Sequence, residues 1–163
     1  MDVFNRYVTV PTAALSALTG GVLLGFSILV MPALRRVSTP AAIRSMQQIN
    51  VVAPRSLLMV PLFGSVLGCV AIAVWVAAHW NRPESWLLAV GALAGIASLI
   101  VTAAVNIPQN NALAGLDPDA ASSAAVWLHY VSRWSVANHV RSLLSLVSAA
   151  ALFAAARWPG LVR

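Results

Sequence analysis

From Val8 to Leu34 the chain carries no charged side chain, and that run constrains the fold more than any motif. An α-helix rises about 1.5 Å per residue and a bilayer core is about 30 Å thick, so about 20 helical residues cross it. Two further runs, about Leu57 to Ala78 and about Trp86 to Val105, meet the same condition. Backbone N–H and C=O groups in lipid must be satisfied within their own segment, which makes these runs helices. The first is too long for a signal-peptide core, and no convincing small-residue cleavage site interrupts it, so it is expected to stay in place. Composition agrees: 60% of residues are hydrophobic and only 9% are charged, against about 25% charged in soluble domains. The mean hydropathy is +0.84. The expectation is a single-domain (1–163), all-α integral membrane protein of the cell membrane, crossing it several times.

A fourth crossing has to be argued. Arg141 and Arg157 bracket a charge-free run of 15 residues, about 22 Å of helix, which is too short to span. The helix must therefore begin near Ser135 or Val136, giving a fourth span of about 136–156 and drawing Asn138, His139 and Arg141 into its first turns. Arginine can extend its guanidinium back to the headgroups, but the shorter Asn138 and His139 should face protein or a polar pocket. Two segments between spans read as short interfacial helices. Ser38 and Thr39 precede Pro40 and AAIRSMQQIN, predicting a helix over 40–50 with Gln47 and Asn50 on one face. Asp117 precedes Pro118, predicting another over 118–134 with Trp127, Tyr130 and Trp134 on one stripe, as aromatic rings favour at a membrane interface. The predicted architecture is a four-helix bundle with both interfacial helices on one side. Gly21 and Gly25 form a GxxxG through which another helix can approach, read as a packing feature only; a homo-oligomer is left open.

Several functions are disfavoured. A formal charge of +6 would point to nucleic acid in a soluble domain, but these cations are arginines clustered between apolar runs, the ordinary flanks of membrane helices, so no nucleic-acid partner is expected. Cys69, inside an apolar run, supports no internal disulfide. A metal site is not expected: His79 belongs to the opposite membrane face, and His129 and His139 lie ten positions apart, about 15 Å on a continuous helix. Ser135, Ser142, Ser145 and Ser148 have no carboxylate in any span to complete a hydrolytic triad and are read as interhelical contacts. The same lack argues against a proton-driven exporter. What remains is a convergence. Four spans bring Gln47, Asn50, Asn106, Asn110, Asn111, Asn138, His139 and Arg141 to one membrane face, either as a site or as an inert hydrogen-bonded cap.

The stretches VNIPQNNALAGLDP and VWLHYVSRWSVANHVR resemble the C-terminal signature of the anthrone oxygenase-like family of small four-span membrane proteins, and MQQIN is similar to that family's first inter-span helix. Asn106, Pro108, Asn110, Asn111, Trp127, Tyr130, Trp134, Asn138, His139 and Arg141 stand at matching places, while Val105 and Gln109 depart from the common pattern. The resemblance implies a cofactor-independent oxygenase that turns an anthrone into an anthraquinone with dioxygen. It implies His139 as the general base and Arg141 with the amides as partners of the enolate oxygen. It also implies Trp127, Tyr130 and Trp134 beside a flat, hydrophobic aromatic substrate. A non-catalytic membrane subunit and a small-molecule transporter are the alternatives that the residues leave open.

Overall fold

The computed structural model describes residues 3–157. Four helices are long and apolar enough to cross a membrane: α1 (Arg6–Leu34), α3 (Met59–Ala78), α4 (Ser85–Ala114) and α5 (Ser123–Ala156). A shorter helix, α2 (Thr39–Val52), follows α1. Among the described residues there is no strand, so the all-α, multi-pass reading is what the molecule shows. The central helix is α5, packed along both α1 and α4, with α3 closing the bundle against α1 and α4.

The helices are unequal, and that inequality shapes the molecule. At about 1.5 Å per residue, the 20 residues of α3 span about 30 Å, whereas the 29, 30 and 34 residues of α1, α4 and α5 span about 44, 45 and 51 Å. The three long helices project together past the start of α3, and α2 packs against the projections of α4 and α5. A core of Met31, Ile43, Met46, Leu113, Trp127, Tyr130 and Trp134 holds this projection together. A second core, including Cys69, Ile72, Leu88 and Leu152, fills the other half. There Trp75 stacks between Phe4 and His79.

Two expectations about helix limits change. The helix expected over 118–134 and the span expected from 136 are one element, because no Pro or Gly interrupts Ser123–Ala156. Its start also moves inward: Asp117 Oδ1 accepts the Asp119 N–H in a turn. Only the α2 segment is therefore a separate short helix. The third span likewise continues past Val105, through Asn106 and Pro108, to Ala114, with Gly115 as its C-cap. Proline has no N–H and crowds the carbonyl four residues earlier. Each of Pro11, Pro32 and Pro108 is accordingly preceded by a widened π turn, at Asn5–Thr9, Phe26–Val30 and Thr102–Asn106, and the helices continue without breaking.

Close packing falls on a glycine outside the expected motif. A Cβ on Gly20 would lie 2.9 Å from Leu146 Cγ and 3.2 Å from its backbone N, whereas one on Gly21 or Gly25 would meet nothing within 4 Å. The GxxxG face is thus open, and Gly20 sets the α1–α5 approach. Serines stitch the same contacts: Ser142 Oγ donates to Gly20 O at 3.1 Å, Ser98 and Ser145 hydroxyls meet at 3.0 Å, and Ser16 and Ser148 at 3.3 Å.

Candidate functional site

A cavity of about 350 Å³ lies where α3 stops short, bounded by all five helices. This volume is within the range of about 300–1,000 Å³ usual for small-molecule sites. Its walls are mostly apolar, among them Phe26, Ile49, Met59, Leu62 and Leu99, and its polar members are Thr19, Asn50, Thr102, Asn110 and Arg141, with Trp134 alongside. Phe63 also lines it and is 55% exposed, which places an edge of the cavity at the bundle surface.

Among the described residues Arg141 is the one cation lining this cavity, and its placement is fixed by neighbours. Nε and Nη2 donate to Asn138 Oδ1 at 3.0 and 2.8 Å, Nη1 donates to Thr102 Oγ1 at 3.3 Å, and the guanidinium carbon lies 5.4 Å from the Trp134 ring centroid. Asn138 is fully buried and bolted to α1, its Nδ2 donating to Leu23 O and Ser27 Oγ, both at 2.7 Å. It stands outside the cavity and positions the arginine. Asn110 is fixed just as firmly. Its Oδ1 accepts from Tyr130 Oη at 3.0 Å and from Trp134 Nε1 at 2.9 Å, which saturates the oxygen and leaves the amide N–H groups as the side chain's remaining hydrogen-bonding capacity. Asn50, on α2, lies beside the Tyr130 hydroxyl and interacts with it, but among the described residues its buried Nδ2 makes no hydrogen bond of good geometry.

The remaining residues of the predicted cluster lie elsewhere. Gln47 Nε2 donates to Leu113 O and Leu116 O at 3.0 and 2.9 Å, capping the end of α4. Asn106 is buried, with Nδ2 donating to Trp134 O at 3.3 Å, and Asn111 is exposed. Trp127 and Tyr130 are buried in the core and stack on each other, ring centroids 5.5 Å apart, so of the aromatic stripe only Trp134 reaches the cavity. His139 lies apart from the others. It is exposed, its Nδ1 lies 2.5 Å from Ser135 O, and it lines a separate cleft with Arg35 and Ser135. One step of about 100° around the helix per residue turns His139 away from the face that carries Trp134, Asn138 and Arg141. The convergence read from the sequence is therefore divided, with Asn50, Asn110, Trp134 and Arg141 at the cavity and His139 outside it. Among the described residues no three His, Cys, Asp or Glu side chains come together.

The arginine and the oriented amides thus present hydrogen-bond donors at a cavity whose walls are mostly apolar. The anthrone oxygenase family model matches residues 56–151, more than half of the chain. The chain belongs to the anthrone oxygenase family. The match takes in Asn110, Trp134, Asn138 and Arg141, while Asn50 and the α1 wall precede it. No curated protein and no solved structure matches the chain.

Proposed function

We propose that this chain is an oxygenase of the cell membrane that oxidises an anthrone-like, flat polycyclic phenol with dioxygen in the cavity beneath α2. The observation that carries the reading is Arg141, held by Asn138 and Thr102 at an apolar cavity whose nearby amide oxygen is saturated. Such a wall favours a ligand oxygen that accepts, and more so as that oxygen gains negative charge. The methylene of an anthrone lies between two aromatic rings and opposite a ketone. Loss of one proton to water leaves a carbanion delocalised onto the ketone oxygen, where Arg141 and the Asn110 and Asn50 amides stabilise it. The carbanion gives one electron to dioxygen, the two radicals combine as a peroxide anion, which takes a proton back from water to become the hydroperoxide, and loss of water leaves the quinone. Per substrate, one CH₂ and one O₂ become one C=O and one H₂O. Dioxygen itself supplies the oxidant, and the chain supplies orientation, anion stabilisation and a largely apolar chamber.

Dioxygen uptake and quinone formation from emodin anthrone, above the spontaneous rate in empty liposomes, tests the reading. Asn110→Asp is the informative variant. It keeps the acceptor used by Tyr130 and Trp134 but replaces the amide donor with a carboxylate oxygen that repels an enolate. Turnover is expected to fall ~10²-fold or more, with the protein still folded. Wild-type turnover at background would reject the substrate class, and full activity of Asn110→Asp would reject the role of the amide.

A further inference from the structure

His139 is absorbed by nothing in the oxygenase reading, and the cleft it lines shares no residue with the cavity. This cleft, of about 610 Å³, lies between the end of α1 with the linker after it and the first half of α5. It includes Arg35, Thr39, Ser132, Ser135, Val136 and His139. Three observations give it a chemistry. Ser135 O can only accept, so the Nδ1 lying 2.5 Å from it carries the hydrogen, and in that tautomer Nε2 is the ring nitrogen that accepts. Ser135 is 8% exposed and its Oγ is enclosed, yet among the described residues that oxygen has no hydrogen-bond partner. Thr12, Thr102 and Ser145, by contrast, each bond back to a carbonyl four residues earlier. Among the described residues the cleft's lining holds one arginine and no Asp or Glu. The apolar surface below it completes the picture. Ile28 stands about two helical turns before Arg35 on α1, and Val136 and Leu143 share the His139 face of α5. All three are more than 60% exposed.

We propose that this cleft is a binding site for an anionic phospholipid with a hydroxylated headgroup, of the phosphatidylglycerol type. The phosphodiester pairs with Arg35 and takes a hydrogen bond from the otherwise unpartnered Ser135 hydroxyl. A headgroup hydroxyl donates to His139 Nε2, and the acyl chains run down the apolar surface of Ile28, Val136 and Leu143. A choline or ethanolamine headgroup would bring an ammonium to a cleft that has a cation and no acid to receive it, so zwitterionic lipid is disfavoured. Depth fits as well: His139 is six residues, about 9 Å of helix, past Arg133 towards the hydrocarbon.

Native mass spectrometry of the full-length protein, purified in a neutral maltoside and stripped of lipid, tests this. Equal amounts of dioleoyl phosphatidylglycerol, phosphatidylcholine and phosphatidic acid are offered, with inorganic phosphate as a separate arm. One phosphatidylglycerol per chain is expected, retained about tenfold over phosphatidylcholine and also preferred over phosphatidic acid, which lacks the hydroxylated headgroup. Inorganic phosphate should not displace it. Arg35→Gln and His139→Leu should abolish the preference. His139→Gln, which still offers an acceptor, should keep part of it, and so should Arg36→Gln, whose arginine is exposed beside the cleft but does not line it. Equal loss in Arg35→Gln and Arg36→Gln would show general surface charge and overturn the site. Displacement by phosphate would overturn the lipid, and equal retention of phosphatidic acid or identical behaviour of the two His139 variants would overturn the hydroxyl contact. Lipid-free melting midpoints matching wild type confirm that the variants are folded.

Discussion

Asn138, His139 and Arg141 are three residues within four positions, and they face three different environments. Asn138 is buried between helices, Arg141 reaches the cavity, and His139 turns outward. The sequence makes polarity at the mouth of the last span plain, since none of these side chains belongs in lipid without partners. It does not resolve which side of α5 each occupies, because neighbouring positions differ by about 100° and the start of the helix is not marked by Gly or Pro. Asn138→Ala tests the positioning role. It removes the donor to Leu23 O and Ser27 Oγ and the acceptor that holds two Arg141 nitrogens, so stability should fall by about 1–3 kcal/mol. A melting midpoint equal to wild type in the same detergent would show that Asn138 carries no such load.

At the scale of elements, the apolar runs give the number and order of the spans because lipid leaves the backbone no alternative to helix. Lengths are less legible: the third span is expected to end near Val105, yet the helix continues through Pro108 because a π turn absorbs it, and Pro118 reads as a helix start that the chain delays to Ser123. Glycine roles are also hidden, because Gly20, Gly21 and Gly25 differ only in the direction they face. Gly20→Leu would drive a side chain into Leu146, including its backbone, and should destabilise the bundle by about 1–3 kcal/mol. Gly21→Leu should leave the melting midpoint near wild type. The reverse order, measured by thermal unfolding in detergent, would contradict the packing described. If Gly21→Leu alone changed the oligomeric state, the open GxxxG face would be an interface between copies.

For the whole molecule, the site follows from unequal helices. A short α3 between three long neighbours leaves space at one end, and α2 packs over the projection, with Arg44 of α2 paired to Asp119. Phe26, Ile49, Met59, Leu62 and Leu99 were invisible as site residues because an apolar side chain reads alike whether it faces lipid, a neighbour or a cavity. Asn50, Asn110 and Arg141 were visible because their polarity demands partners. The central claim is that oxidation takes place in this cavity and is supported by Arg141. The direct measurement is steady-state dioxygen uptake with emodin anthrone in proteoliposomes of one lipid composition, corrected for spontaneous oxidation, for wild type, Arg141→Gln and His139→Gln. Arg141→Gln should lose ~10²-fold to 10³-fold, with His139→Gln at least about tenfold more active than Arg141→Gln. Collapse of turnover in His139→Gln, with Arg141→Gln close to wild type, would contradict the account and place the chemistry in the other cleft.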